Sequence, residues 1–435
     1  MKRKIQMRSK AGIIGAVMSI VLLGTGCTIG SDKKESGTIR IVSIQSEADA
    51  RGQGLRLFQE KYPELKVEFV DVKAMVGDPI KAYQQFGQYI EDEKPDVIIG
   101  DALTFGPLAA RDAYADLSPM IQRDSFPTED MNQGVLEWIK QQGGGLLTGL
   151  TPAYDSTVLF YNIGLFEQYG ISHPSNQMSW EEVLALASRV PEKSSNGEPL
   201  YGLYLGGSGD ALELADRIAA TMGVNYVNWE QRQITGNSEQ WHKIYELAVN
   251  TARSGRLYGP EEGEQGQQAD ALFMKGKVAM MLGGYDTFRS LMASTSAPKW
   301  GAVTQPVDPS TRDQGDLSPG TIYSVSSTAT NSDGAWTFVQ YMNSEERAKG
   351  LAAGKATLLT RTALNQDVNN LEPFTLLSYK LSKIVDLHKV DFELSASIRQ
   401  IRQNEMNKVL TGEATIEEAL AATQQQAEAV LKTTK

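Results

Sequence analysis

The sequence predicts an α/β protein whose first part contains a parallel sheet. Residues 39–42 and 96–99 are short apolar runs with the length of buried strands, and residues 66–72 alternate between polar and apolar side chains. Helical segments separate these strands, and the first of them ends at Pro63. The order strand, helix, strand, helix, strand favours parallel pairing through right-handed crossovers. We therefore expect a ligand site beyond the carboxyl ends of the strands.

The second part of the chain continues this alternation. Residues 158–161 and 277–282 are predicted strands. Asn162 can cap the helix after the first of them. Ser179 and Glu182 form a capping box, in which each side chain accepts a hydrogen bond from the backbone of the other residue. No internal repeat occurs, which argues against a structural or adhesion module.

The first 26 residues have the pattern of a secretory signal. A basic stretch precedes an apolar run over residues 13–23, which is about 11 residues long, whereas a membrane-spanning helix requires roughly 20. Small residues follow, and the next residue is Cys27, the only cysteine among 435 residues. We predict a signal peptide over residues 1–26 and a polar, flexible tether over residues 27–37.

The position of Cys27 resembles the lipobox of bacterial lipoproteins, in which the cysteine is diacylated and becomes the mature N-terminus. Lipoboxes usually have a leucine three residues before the cysteine, whereas Leu23 lies four residues before Cys27. The resemblance implies a protein held on the outer face of the cell membrane by its lipid alone. The alternative is a buried cysteine beside an ordinary signal.

The net charge bears on the possible partners, and the cysteine content bears on how the fold is stabilised. Loss of the five basic residues in the predicted signal would change the formal net charge from −11 to −16. An acidic surface argues against nucleic acid as a partner. With one cysteine the chain forms no internal disulfide, so its stability depends on its hydrophobic core.

Seven short segments occur in an order typical of one known family. They cover residues 62–67 (YPELKV), 95–98 (PDVI), 156–170 (STVLFYNIGLFEQYG), 178–182 (MSWEE), 273–280 (FMKGKVAM), 335–346 (AWTFVQYMNSEE) and 410–420 (LTGEATIEEAL). Together they resemble family 1 of the extracellular solute-binding proteins, whose better-known members bind maltose and other oligosaccharides. The resemblance spans nearly the whole chain after the predicted signal.

The resemblance implies an α/β fold of the periplasmic-binding-protein type (type II), with two lobes joined by hinge strands and the ligand held between them. On this pattern the chain crosses between the lobes near residues 151–157, 303–307 and 324–328. The implied lobes are residues 38–152 with 305–325, and residues 153–304 with 326–435. The implied function is capture of a small solute, a sugar or oligosaccharide, by a monomer that delivers it to the permease subunits of an ABC importer.

Signatures of catalysis, metal binding and cofactor binding are missing from the sequence. The three histidines are not spaced as metal ligands, and no glycine-rich segment matches a phosphate-binding or dinucleotide-binding loop. We therefore predict no metal, no cofactor and no enzyme activity. The alternative is a secreted carbohydrate hydrolase, because glycosidases use a pair of carboxylates. Four aspartates near predicted strand ends are available for such a pair: Asp101, Asp155, Asp210 and Asp286.

Candidate ligand contacts follow predicted strands or lie at the first crossing between the lobes. These positions are Ser46, Glu47, Asp101, Tyr154, Asp155, Ser208, Asp210, Tyr285 and Tyr323. Carboxylates, hydroxyls and aromatic rings offer the hydrogen bonds and apolar faces that sugars use. For each loop carboxylate, simple exposure at the surface is the alternative.

Tyr285 is the sharpest of these predictions. It follows the predicted strand 277–282 through Gly283 and Gly284, and glycine permits tight turns that other residues cannot adopt. Such a turn would present the ring to a sugar at the sheet edge, where sugar-binding relatives often have a tryptophan. The alternative is that the ring packs against Phe288 at the start of the next helix.

The lipid anchor can be tested by the substitution Cys27→Ser. We expect the variant to be released from the membrane, because stable attachment requires acyl chains that serine cannot receive by the same chemistry. Fractionation of cells and mass spectrometry of the mature N-terminus measure this. An unmodified Cys27 within an uncleaved N-terminus would contradict the prediction.

Overall fold

The computed structural model describes residues 36–260, 267–354, 357–365, 371–379 and 392–433. The predicted signal peptide, Cys27 and nearly all of the predicted tether lie outside these ranges. Within them, no helix combines the length and the apolar character needed to cross a bilayer.

Strands and helices alternate along the described chain. The strands are β1 (Gly37–Ser43), β2 (Leu65–Asp71), β3 (Val97–Gly100), β4 (Ala153–Ser156), β5 (Val158–Asn162), β6 (Tyr201–Tyr204), β7 (Val227–Asn228), β8 (Gln233–Ile234), β9 (Val278–Gly283), β10 (Trp300–Thr304), β11 (Gln314–Gly315), β12 (Leu317–Pro319), β13 (Ile322–Val325), β14 (Leu358–Leu359) and β15 (Ser378–Tyr379). The helices are α1 (Glu47–Ala50), α2 (Arg56–Lys61), α3 (Val72–Val76), α4 (Pro79–Glu93), α5 (Ala102–Ala109), α6 (Ser118–Asp124), α7 (Gln133–Gln142), α8 (Ile163–Gln168), α9 (Trp180–Ser188), α10 (Ala211–Met222), α11 (Glu239–Arg253), α12 (Gln267–Met274), α13 (Tyr285–Ala293), α14 (Ser332–Met342), α15 (Glu345–Gly354), α16 (Glu372–Thr375), α17 (Phe392–Thr411) and α18 (Ile416–Thr433).

The first sheet has the strand order β13-β3-β1-β2. β1 pairs in parallel with both β2 and β3, as the sequence predicts. The antiparallel edge strand β13 comes from much later in the chain and pairs with β3. All four residues of β3 are buried, which accounts for its continuously apolar sequence.

The second sheet has the strand order β10-β5-β9-β6. Its central strand β9 is buried over Val278–Leu282, as predicted, but it is parallel only to β6 and antiparallel to β5. Helices α10, α11, α17 and α18 pack together beside this sheet. Their apolar side chains form a second core with Trp241, Tyr245 and Leu420 at less than 2% exposure.

A small antiparallel sheet of order β12-β4-β14 connects the two parts. β4 lies within the predicted first crossing at residues 151–157, directly before β5 of the second sheet. The predicted boundary at residue 326, however, assigns helix α14 to the second lobe. The structure packs α14 against β13, β1 and α2, so this helix belongs with the first sheet. Phe338 on α14 meets the ring of Phe58 edge-on, with centroids 4.9 Å apart.

The buried carboxylate of Asp96 joins β1 to the segment that precedes α14. Its Oδ2 accepts a hydrogen bond from the backbone N–H of Arg40, at 2.9 Å. Its Oδ1 accepts from the backbone N–H groups of Thr330 and Asn331, at 2.7 and 2.8 Å, and from the Thr330 hydroxyl. Asp96 is 3% exposed, so its carboxylate depends on these donors and not on water for its hydrogen bonds.

We expect Asp96→Ala to lower the free energy of unfolding by about 3 kcal/mol or more, because four hydrogen bonds to a charged acceptor are lost at once. Urea unfolding of the soluble domain measures the change. Asp92→Ala is the matched control, since Asp92 is exposed on α4 and accepts one hydrogen bond from Gln88. Equal stability of the two variants would contradict the prediction.

Candidate functional site

A cavity of about 270 Å³ lies between the connecting sheet and the start of α13. The connecting sheet and the residues beside it contribute Tyr154, Asp155, Ser318, Pro319, Gly320 and Thr357, and α13 contributes Tyr285 and Asp286. Three of the predicted contacts, at positions 154, 155 and 285, are therefore brought together here. We call this space the hinge cavity.

Asp155 occupies the N-terminus of α13. Its Oδ1 accepts hydrogen bonds from the backbone N–H of Tyr285, at 3.3 Å, and from that of Ser156, at 2.9 Å. Helix N-termini attract negative charge, because their first N–H groups have no partner within the helix. The predicted carboxylate at position 155 thus also orders the start of α13.

Gly284 makes this approach possible, for a different reason from the one that the sequence suggested. Its φ of −93° and ψ of −165° are open to any residue, so no special backbone conformation is needed. A Cβ at this position would lie 2.9 Å from Oδ2 of Asp155. Glycine therefore gives the Asp155 carboxylate space in its present position, and it is not needed for a tight turn.

Tyr285 forms part of an aromatic cluster. Its ring stacks on Phe288, with centroids 5.5 Å apart and planes at 20°, and Phe374 meets it edge-on at 6.0 Å. Only 7% of the residue is exposed, and this burial raises the pKa of its hydroxyl. The structure thus has the packing against Phe288 that was the alternative prediction, while the ring also borders the hinge cavity.

Tyr154 is more deeply buried, at 2% exposure, and burial raises the pKa of its hydroxyl. The hydroxyl lies near the side chain of Asn132 but makes no hydrogen bond of normal geometry with any described residue. The same ring borders a second cavity of about 290 Å³, with Asn132, Ser156 and Leu317 in its wall. Tyr154 therefore separates two cavities at the connecting sheet.

Asp101, predicted as a ligand contact, caps α5. Its Oδ1 accepts from the backbone N–H groups of Leu103 and Thr104, both at 3.1 Å, and its Oδ2 accepts from the Tyr83 hydroxyl at 2.6 Å. Burial and this hydrogen bond raise the pKa of Tyr83. Both carboxylate oxygens of Asp101 thus have partners within the chain.

Ser46 and Glu47 also have local partners. The Ser46 hydroxyl caps the short helix α1 by accepting from the Asp49 backbone N–H. The Glu47 carboxylate pairs with Arg51 at 2.6 Å. The structure places both residues outside the wall of the hinge cavity.

Ser208 and Asp210 belong to a network at the start of α10. Asp210 caps the helix by accepting from the Glu213 backbone N–H at 2.7 Å, and the Ser208 hydroxyl bonds to both carboxylates. Glu213 also pairs with Arg217 at 2.9 Å. Arg217, which the sequence reasoning missed, lines a cavity of about 370 Å³ with Gly206 and other residues near the ends of β6 and β9. The spacing of four residues between an acid and a base was a signal for this pair.

Tyr323 lies in the first core, outside the walls of the cavities described above. It is 2% exposed on β13, its ring centroid is 6.0 Å from that of Phe338, and burial raises its pKa. A ligand contact at this position stays a prediction. Two residues earlier, Thr321 bonds with the side chains of Gln45 and Gln53. This polar group beside Gly320 was missed, although Gln45 follows directly after a strand.

In the ranges that the structure describes, no three His, Cys, Asp or Glu side chains converge as metal ligands would. His388 lies outside those ranges.

The family follows from comparison with known proteins. A family model described as bacterial extracellular solute-binding protein matches residues 38–349. The chain belongs to this family. The family resemblance predicted from the sequence is thereby confirmed.

Solved structures of other solute-binding proteins share the fold over most of both chains. The sugar-binding protein MalE from Xanthomonas citri aligns with a TM-score of 0.65 at 17% identity, covering 91% of this chain and 98% of that one. An ABC substrate-binding protein from Listeria monocytogenes, solved with cycloalternan, gives 0.61 at 20% identity, with 91% and 99% covered. The cyclic α-maltosyl-1,6-maltose binding protein from Arthrobacter globiformis gives 0.59 at 17% identity, with 92% and 100% covered. The predicted two-lobed fold is confirmed.

For this solute-binding protein we expect Tyr285→Ala to lower the free energy of unfolding by about 3 kcal/mol, as for other large buried aromatics. Tyr285→Phe is the control, because it keeps the ring and removes only the hydroxyl. Thermal unfolding of both variants without solute measures the difference. An alanine variant as stable as the parent would show that the aromatic cluster does not hold α13 in place.

Proposed function

We propose that this protein captures a small carbohydrate in the hinge cavity and delivers it unchanged to the permease subunits of an ABC importer. The observation that carries the proposal is the placement of that cavity. Its wall joins the connecting sheet, which contains the first crossing, to the first turn of a helix that follows the second sheet. A solute bound there contacts the connecting sheet and a helix of the second lobe at the same time.

The chemistry of the wall suits a polyhydroxylated solute. Asp155, Ser318 and Thr357 offer acceptors and hydroxyl groups, while Tyr285 and Pro319 offer apolar surface. The three relatives are described as binding a sugar, cycloalternan and a cyclic maltosyl-maltose, which supports a carbohydrate for this chain. In this proposal Asp155 and Tyr285 contact the solute, while Asp101, Asp210 and Tyr323 support the fold.

We propose, in addition, that the chain divides into two lobes at the predicted crossings, with α14 in the first lobe. We also propose that the protein is attached to lipid through Cys27 and acts as a monomer on the outer face of the membrane. The name of the family supports a place outside the cytoplasm. The basic and apolar pattern before Cys27 supports the anchor.

A hydrolase that uses Asp155 and Asp286 is the competing function, since both line the hinge cavity. Glycosidases need one carboxylic acid that is kept protonated, which an apolar and desolvated setting provides. Asp155 is exposed, and the Asp286 side chain is 90% exposed. This exposure favours binding without catalysis.

We expect a carbohydrate that binds to raise the melting temperature and to reduce the radius of gyration, because the lobes close around it. At 100 times its dissociation constant, a solute adds about 2.7 kcal/mol of stability. Thermal-shift screening of neutral oligosaccharides, followed by small-angle X-ray scattering with each hit, measures both effects.

Two controls separate the outcomes of this experiment. Gly284→Ala places a methyl group against Asp155 and should weaken binding, whereas Gly52→Ala adds a methyl group in open space at an exposed position outside the cavity wall and should leave binding unchanged. A saturating solute that leaves the radius of gyration unchanged would contradict closure. Steady release of cleaved sugar would instead favour the hydrolase.

A further inference from the structure

The hinge cavity carries negative charge without a compensating cation in its described wall. Asp155 and Asp286 both contribute carboxylates, and no described lining residue is a lysine or arginine. Arg289 approaches Asp286 to 3.6 Å from the next turn of α13 but does not line the cavity. The described wall therefore contributes a negative electrostatic potential to this space.

Helix N-termini, the usual backbone sites for anions, are already occupied by side chains of this protein. Asp101 caps α5 and Asp210 caps α10, each through backbone N–H groups of the first turn. Asp155 accepts from the first N–H of α13. In the hinge cavity, a phosphate or carboxylate that bound the start of α13 would have to displace Asp155, and like charges repel at such distances.

Asp155 remains open to a second partner. It forms no ion pair with a described residue, and its two hydrogen bonds both involve Oδ1. Oδ2 accepts no hydrogen bond from a described residue, and it lies close to Gly284, where an added Cβ would come within 2.9 Å of it. An exposed carboxylate with one free oxygen is a strong acceptor for an ammonium group.

We propose that the site prefers carbohydrates with a free amino group, excludes those with carboxylate or phosphate groups, and uses Asp155 Oδ2 to hold the ammonium. This inference rests on the proposed function, because it names the class of carbohydrate for the same cavity. The ammonium donates a charge-assisted hydrogen bond to Oδ2, while Oδ1 stays bound to the start of α13.

Three trisaccharides of similar size test the charge preference: the glucosamine trimer, neutral maltotriose and the galacturonic acid trimer. Isothermal titration calorimetry of the soluble domain should give the tightest binding for the glucosamine trimer, about fivefold tighter than for maltotriose, and none for the galacturonic acid trimer. The advantage of the amine should shrink at high salt, because the pair is exposed to solvent.

Asp155→Asn tests the role of the charge at this position, since the amide retains the size of the side chain and one hydrogen-bond acceptor but loses the negative charge. We expect this variant to bind the glucosamine trimer no more tightly than maltotriose. Asp92→Asn, on α4 outside the cavity wall, is the matched control and should keep the fivefold difference.

The outcomes separate the inference from the function that it rests on. Tightest binding of the galacturonic acid trimer, or an amine preference that survives Asp155→Asn, overturns the inference and leaves carbohydrate capture standing. Equal binding of the amine and neutral sugars by the parent also overturns it. If the parent binds none of the three, the inference is overturned, and carbohydrate capture itself is contradicted when the thermal-shift screen of neutral oligosaccharides gives no hit either.

Discussion

One buried carboxylate determines how the chain returns to its first sheet. Asp96 stands at the entrance to β3 and bonds to Arg40 on β1 and to Thr330 and Asn331, which follow β13 by only a few residues. This contact fixes the segment between the late strand β13 and helix α14, both of which pack on the first sheet. The connecting sheet, the hinge cavity and the route of the chain between the lobes all depend on that return.

Most of the aspartates near strand ends accept hydrogen bonds from backbone N–H groups at the starts of helices. Asp101 and Asp210 each accept from the first turn of the helix that follows, and Asp155 does so across the chain, at the start of α13. The same edge of an α/β sheet collects helix N-termini and ligands, so both need polar side chains there. Only Asp155 among these three lines the hinge cavity.

Local sequence patterns predicted many of the strands and a helix cap. They did not predict which aromatic residues are buried, because that depends on tertiary packing. The predicted strands β1, β2, β3, β5 and β9 and the capping box at Ser179 depend on neighbouring residues, which the sequence displays directly. The burial of Tyr285 depends on Phe374, some 90 residues later in the chain. No local pattern around Tyr285 or Tyr323 reveals such partners, so aromatic residues of the core and of a ligand site look alike in sequence.

The late arrival of β13 affects how the first lobe is assembled. Its partner β3 is complete at Gly100, but the residue that pairs with Gly100 is Ile322, about 220 residues further on. Until then the side of β3 that faces away from β1 is an unpaired edge of a wholly apolar strand, which is the kind of surface that joins edges of other chains and aggregates. A chain that emerges from its N-terminus must therefore keep this edge covered, by a chaperone or by transient contacts, for about half of its synthesis. Slow, late closure of the first lobe is a direct cost of a discontinuous fold.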